Sequence, residues 1–399
     1  MDHSLPRTDG YTIRAKYMLE AQAAAGHHVT VLTGPSQGAD ALDMEAGGVA
    51  YRRCHYTPFE QRLVDFGAKQ AVFGRAIGRA LATLLDSGKF DVVHAHTPFT
   101  VARSALREAR RRNLPFVYEK RNLWEESARA RGKASGRWPF FQVAQALDRA
   151  VTVRADAVCT ITDALRRHTI DLGAAPDRVF VVGNGVDVFA FTPRAAPPEL
   201  RRKCAGGGDF VIGFVGSFFS FEGLPLLMRA FAGLRPKFPG ARLVLVGNGE
   251  DHAALTALAL ELGLGDSVWL VGQVPHDQVV DFYAAMDVLV YPRYRSALTD
   301  MISPLKPLEP MAMARCVVGS DVGGIRELVA DGAGLLFAAG QPGGSTAALE
   351  AQLEQLLSRT VDAAALGAKA REHVIANRQW QHMARHYEGA YQRAQRKAA

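Results

Sequence analysis

Lys306 and Glu309 stand three residues apart in a stretch, Tyr291 to Glu327, whose residue types suit a charged, hydroxyl-rich ligand. Pro304 and Pro307 bracket Lys306, and the run LEPMAMA that follows has helical composition. Glu309 is therefore expected near the positive N-terminal end of a short helix that also carries Lys306. A carboxylate there accepts hydrogen bonds from a vicinal diol, while nearby backbone N–H groups and Lys306 can hold an anion such as a diphosphate. Ribose plus diphosphate is a nucleotide. By themselves these residues also fit an ordinary amphipathic helix with a surface Lys and Glu pair.

Other chemistries have weaker signals. Gly247-Asn248-Gly249 follows a strand and opens a helix, but His252 stands where a dinucleotide fingerprint has its third glycine, so a tight strand-to-helix turn is the plainer reading. No GxSxG elbow precedes a helix, and the 12 histidines are scattered. Cys54, Cys159, Cys204 and Cys316 form no CxxC pair, which argues against zinc or a disulfide framework. The chain also lacks Asp-x-Asp, the paired carboxylates that hold a divalent cation against a diphosphate. Neither metal nor cofactor is expected, and charge on a departing diphosphate would fall to helix N-termini and to Lys or Arg.

The 399 residues, 48% hydrophobic and 22% charged, suffice for two buried cores. No apolar run reaches the ~18 to 20 residues of a membrane helix, and MDHSLPRTDG lacks the apolar core of a signal peptide, so a cytoplasmic location is expected. The net charge of +7 is uneven: residues 101–154 hold thirteen Arg or Lys against five Asp or Glu, a local +8. Such a face attracts nucleic acid, anionic lipid or a phosphate-bearing substrate. No stacking motif or recognition helix accompanies it, so nucleic acid is not expected as a partner. Within it, Arg131 to Phe141 sets cations beside Trp138, Phe140 and Phe141, which suits either peripheral contact with the anionic inner face of a membrane or packing in a core.

The elements that must position Lys306 and Glu309 follow a repeated pattern of short β-branched run, turn and amphipathic helix, which predicts parallel sheets with helices on both faces. In the first half, helices are expected over Gly10 to Ala25, Gln61 to Leu85, Ala102 to Arg112 and Phe140 to Arg154. The Pro- and Gly-rich stretch from Phe191 to Gly208 reads as a linker, after which VIGFV restarts the rhythm. The result is an α/β chain of two tandem doubly wound domains, 1–190 and 209–379, with strand ends facing a cleft. A last segment, 380–399, is expected to be a helix that crosses back to the first domain.

With these pieces assembled, the sequence resembles the family-four retaining glycosyltransferases of the GT-B fold, whose two domains are Rossmann-like. The matching segments run in order from DHSLPRTDGYT through GHHVTVLT, FDVVHAHTP, FVYEKRNLWEE, VFVVGNGVD, VIGFVGSFFSFEGLPLLMRAF, LVLVGNGED, VGQV and PLKPLEPMAMA to DVGGIRELVADGAGLLF. DHSLP, SFFSFEGLPLL and TDMISPLKPLEPMA are most similar to the subgroup that accompanies exosortase-type exopolysaccharide systems.

The resemblance implies a retaining, metal-independent transferase that moves a sugar from a nucleoside-diphosphate sugar to a glycan or lipid-linked acceptor. The departing phosphate would help to deprotonate the acceptor. A nucleotide-sugar epimerase of the same fold, or a non-catalytic nucleotide-sugar-binding homologue, is the alternative. Glu309 would bind the donor ribose, backbone N–H groups around Ser303, Leu305 and Lys306 the diphosphate, and Gln273 and Val274 the base. Gly10 would approach the phosphates, while His96, Glu119 and Arg121 would face the transferred sugar and acceptor. The chain also departs from the family. Met301 replaces the usual Glu eight residues before Glu309, with Asp300 one place earlier, and Ser217 and Glu222 replace the usual Arg and Lys of the second domain's first turn. Lys306, Arg295 and Arg293 are then the nearest cations for phosphate, with Arg121 as a further candidate. The family also has an apolar strand before the loop at residues 2–10, so a strand upstream of residue 1 is expected, and a first domain lacking it is expected to be poorly stable.

Overall fold

A computed structural model of the protein describes residues 1, 4–5, 10–37, 42–65, 69–123, 126–127 and 139–398. They fall into two units: one contains the described residues of 1–127, 139–184 and 380–398, the other 185–379.

In the first unit, α1 (Gly10–Ala24) leads into β1 (Val29–Thr33), β2 (Met44–Ala46) and β3 (Val49–Arg53). β1 and β3 are parallel and β2 adds antiparallel, giving a three-stranded sheet. Met1 lies along β1, its amino group donating to Leu32 O at 2.8 Å and its carbonyl accepting from Gly34 N–H at 2.8 Å. After α2 (Pro58–Leu63) and α3 (Lys69–Asp86), a second, wholly parallel sheet runs in the order β4 (Val93–His96), β5 (Phe116–Lys120), β6 (Ala157–Thr160), β7 (Val179–Val181). Its connecting helices are α4 (Phe99–Arg111), α5 (Pro139–Arg154) and α6 (Asp163–Asp171). In place of the single helix expected from Gln61 to Leu85 stand α2 and α3, and α2 starts earlier because Thr57 caps it in a reciprocal box with Glu60, Pro58 filling its first turn.

The second unit opens on α7 (Pro198–Ala205), inside the stretch read as a linker. Pro in its first turn and Gly206, left-handed at its end, are helix punctuation that composition alone mistakes for a flexible segment. The helix is anchored: Cys204 is buried, and Arg201 donates to Ala285 O at 2.6 Å and to Asp287 Oδ2 at 3.0 Å.

Six parallel strands follow: β8 (Phe210–Val215), β9 (Ala241–Val246), β10 (Val268–Gly272), β11 (Val288–Tyr291), β12 (Cys316–Ser320) and β13 (Leu335–Phe337). Their spatial order is β10-β9-β8-β11-β12-β13, the doubly wound order in which the first and fourth strands are neighbours. VIGFV, LVLV and VLVY are continuous apolar runs because both sheet faces are covered, and these strands are buried almost throughout. Helices α8 (Leu224–Leu234), α9 (His252–Glu261), α10 (Val279–Ala285), α11 (Ala297–Met301), α12 (Leu308–Ala312), α13 (Gly323–Arg326), α14 (Ala347–Leu357) and α15 (Ala363–Asn377) complete the unit. The chain then returns to the first unit as α16 (Trp380–Ala398), where Trp380 stacks on Tyr17 and Tyr391 OH accepts from Gln22 Nε2 at 2.7 Å.

Candidate functional site

Where β8 and β11 lie side by side the strand order reverses, and an open parallel sheet binds ligands beyond the C-terminal ends of its strands at that point. Two segments leave the sheet there. From β8 the chain runs through Gly216 and the turn Ser220–Glu222 into α8, and from β11 through Arg293, α11 and Ser303 into α12. Gly223 makes the first turn possible: its φ is 72°, and a Cβ would lie 2.0 Å from Pro292 O.

Glu222, buried in this turn, is the centre of an ion cluster. Arg293 donates Nε to Oε2 at 3.1 Å and Nη2 to Oε1 at 2.9 Å, and Lys306 Nζ donates to Oε1 at 2.8 Å. Burial opposes the negative charge, but the guanidinium and the ammonium outweigh it and hold the carboxyl at about 2. Burial in turn lowers the Lys306 pKa, with Glu222 opposing the shift. The Lys306 ammonium also lies 5.1 Å from the centre of the Phe214 ring.

Glu309 is different. It is the second residue of α12 and only half-buried, and among the described residues its side chain is met by the hydroxyl of buried Tyr283, which donates to Oε2 at 2.7 Å. Burial pushes its carboxyl up to about 7, and the Tyr283 bond and the Lys306 charge offset this only in part. The expected helix is smaller than the sequence suggested: it has five residues and begins after Lys306, so Lys306 lies in the preceding turn. Its dipole is correspondingly slight. The turn is instead braced from below, Tyr291 OH donating to Lys306 O at 3.0 Å.

The other residues singled out in this unit have mixed placements. Ser303 is buried and Leu305 half-buried in the same turn as Lys306. Asp300 accepts from Gly323 N–H at 2.9 Å and from Arg295 Nη1 at 3.3 Å, which ties α11 to α13. Arg295 also donates to Asp321 O. Arg293, Arg295 and Lys306, the cations nearest the turn, thus all face carboxylates. Gln273 is exposed and Val274 half-buried just beyond β10, at the edge of the sheet and two strands from β8.

In the first unit, Glu119 is fully enclosed, with 0% exposure. Arg14 Nη2 donates to Oε1 at 2.8 Å and Arg121 Nη2 to Oε2 at 3.0 Å, while Nε2 of His96 and of His94 lie 3.3 and 3.4 Å from Oε2. Burial raises the Glu119 pKa, but Arg121, Arg14 and His96 together hold it well below the usual carboxylate range. The carboxylate therefore binds its neighbours rather than facing a ligand. Burial lowers the His96 pKa, and its Nε2 lies between Arg121 Nη2 at 3.2 Å and Glu119 Oε2 at 3.3 Å. Among the described residues, His96 Nδ1 and Arg121 Nη1 find no partner. His94, His96 and Glu119 bring metal-ligand atoms within 4.8 Å of one another. The carboxylate is already held by two guanidinium groups, beside which a divalent cation would be repelled. Gly10 is exposed at the start of α1, and most of the loop before it lies outside the described residues.

The two parts of the chain match known families. Residues 9–185 match the Glycosyl transferase 4-like domain and residues 198–373 the Glycosyl transferases group 1. The D-inositol 3-phosphate glycosyltransferase of Stackebrandtia nassauensis is 31% identical over 338 residues, covering 82% of this chain and 73% of that protein. That of Frankia alni is 32% identical over 324 residues, 78% and 77% of the two chains. The chain belongs to the group 1 glycosyltransferases. A third relative, from Acidothermus cellulolyticus, is 31% identical over 304 residues, 73% of this chain, which spans 66% of that protein's length. Among solved structures, sucrose-phosphate synthase from Thermosynechococcus elongatus superposes with a TM-score of 0.76 at 21% identity, covering 96% of this chain and 93% of that one. Anabaena HepE in complex with UDP-glucose gives 0.73 at 17% identity, covering 96% of each chain. These likenesses establish the glycosyltransferase GT-B fold.

Two partners in this glycosyltransferase escaped the sequence reading. Arg14 donates to Glu119, Val182 O and Gly183 O, and its signal was a charge on the core-facing side of α1 beside Ala15 and Met18. Tyr283 carried no signal that tied it to Glu309, 26 residues later.

Proposed function

We propose that the protein is a retaining, metal-independent glycosyltransferase that moves a sugar from a nucleoside-diphosphate sugar to a glycan or lipid-linked acceptor in exopolysaccharide or cell-surface glycan synthesis. The observation that carries this reading is the underpaired Glu309 carboxylate beside Lys306, at the point in the sheet where α/β folds take nucleotides. Glu309 accepts hydrogen bonds from the ribose hydroxyls, and the Ser303 to Lys306 turn receives the diphosphate. Negative charge grows on the leaving phosphate, and Lys306 is the nearest cation with an exposed part. The Asp-x-Asp pair that would hold a metal is missing from the sequence. The leaving phosphate takes the acceptor proton on the same face, so no protein nucleophile is required. Support for a polyhydroxylated acceptor comes from relatives named for D-inositol 3-phosphate, and support for a uridine donor from neighbours solved with UDP or UDP-glucose.

The reading includes peripheral attachment to an anionic membrane on its cytoplasmic side. Among the described residues no helix is long and apolar enough to cross a membrane. Arg131 to Trp138 lie outside the described residues, but the neighbouring α5 exposes Val143 and Val153 beside Arg149 and Arg154. Exposed apolar side chains among cations suit a charged bilayer surface. Salt-sensitive flotation with anionic vesicles is expected.

A panel of radiolabelled nucleotide sugars tests the main reading. One donor should bind, transfer its sugar to an acceptor extract without added metal, and give a product with the donor's anomeric configuration. Binding without transfer, or an inverted product, would overturn it.

A further inference from the structure

Two cations and one carboxylate, Arg293, Lys306 and Glu222, meet at the sheet's switch point. Glu222 and Arg293 have side-chain exposures of 2% and 8%, so of the three only Lys306, at 23%, keeps part of its side chain open to a ligand. The lysine reaches this position by lying across Gly216. A Cβ on that residue would be 2.4 Å from Lys306 Cε, and its φ of 147° also disfavours any side chain. At its end Nζ is held by Glu222 at 2.8 Å and by Ser217 O at 3.4 Å. An ammonium has three N–H groups, so one of them is left for a ligand. An oxyanion that takes it also comes within a few ångströms of the Glu222 carboxylate, whose repulsion acts at short range in a partly dry site.

From this geometry we infer that Glu222 is a specificity-determining residue: a fixed counter-ion that leaves the Lys306 and Arg293 pair with one net positive charge, and so limits how much phosphate charge the site rewards. The inference rests on the proposed nucleotide site. Glu222 fixes the direction of Lys306 while cancelling one of the two positive charges that would attract a second phosphate. The native protein therefore gains little from that phosphate and recognises its donor mainly through ribose, base and sugar.

The test compares nucleoside mono- and diphosphates of uridine, adenosine and guanosine by calorimetry, in the native protein and in Glu222→Gln. The amide keeps the shape of the side chain and removes its charge. For whichever base binds, Glu222→Gln should raise diphosphate affinity about tenfold or more, monophosphate affinity much less, and steepen the salt dependence of the diphosphate. The double variant Glu222→Gln/Arg293→Gln restores one net charge and removes a buried ion pair, so it should return the diphosphate-to-monophosphate ratio to the native value. It also serves if the single variant is unstable with Arg293 unpaired. An unchanged or lower ratio in Glu222→Gln, or a raised ratio in the double variant, would overturn the inference and leave the nucleotide site standing. A native protein that binds none of the six nucleotides removes both.

Discussion

Glu119 and Glu309 are both glutamates near the C-terminal ends of parallel strands, one in each unit, and they have opposite environments. Glu119 is enclosed by Arg14, Arg121, His94 and His96, and it is kept ionised. Glu309 has a tyrosine hydroxyl and a more distant lysine, and burial pushes its carboxyl up to about 7. A carboxylate whose lone pairs are all committed holds a fold together. One whose acceptor capacity is largely unspent is free to meet a ligand, and burial makes each bond it then forms count for more.

Removing each carboxylate should separate these roles. Glu119→Ala leaves two guanidinium groups buried without their counter-ion and should cost the first unit about 3 to 5 kcal/mol. Thermal unfolding followed by limited proteolysis should show that unit melting early and the second unchanged; native-like melting would dissolve the contrast. Glu309→Ala should leave both melting transitions in place and weaken nucleotide binding by about 2 to 4 kcal/mol, roughly 30- to 1,000-fold. Calorimetric affinity within threefold of native would remove Glu309 from the site.

The pH responses should run in opposite directions. The Glu309 pKa is raised to about 7 in the folded chain, so between its unfolded value near 4.5 and about 7 the folded state holds the extra proton. Stability from this group therefore falls as pH rises through that window, while nucleotide affinity rises, by up to about tenfold per pH unit below 7. Glu119 is shifted downward, so its contribution is present above the ordinary carboxylate range and is lost as pH falls below it. Affinity measured from pH 5.5 to 8.5 checks the first part, and a flat profile contradicts it. The smallest effect should come from Tyr283→Phe, which removes the bond that favours ionised Glu309. Binding at pH 7 should weaken by about 0.5 to 1.5 kcal/mol and the affinity midpoint should move to higher pH. An unmoved midpoint would show that the hydroxyl does not position the carboxylate.

The central strands were legible because continuous apolar runs such as VLVY leave few alternatives to a strand covered on both faces. The turn ahead of Glu309 was legible because Pro304 and Pro307 mark it. What sequence hid was long-range pairing. Arg14 meets the backbone of Val182 and Gly183, and Glu222 looked like the simple loss of a cation until Arg293, 71 residues later, was found on its carboxylate. The misread linker failed for a different reason: Pro and Gly mark helix ends as readily as they mark flexible chain.

The return of α16 to the first unit has a consequence for the order in which the protein is made. Tyr387 and Tyr391 cover His94, and Arg393 pairs with Asp177 at 2.8 Å, so the first unit lacks part of its interior until these residues exist. A ribosome delivers all of residues 185–379 before them. That inserted stretch leaves and rejoins the first unit at adjacent points, since Val186 N–H donates to Arg378 O at 2.7 Å. The half of the chain that begins first is therefore the half that closes last, and a growing chain exposes its His94 and Glu119 pocket for as long as the second unit takes to be synthesised.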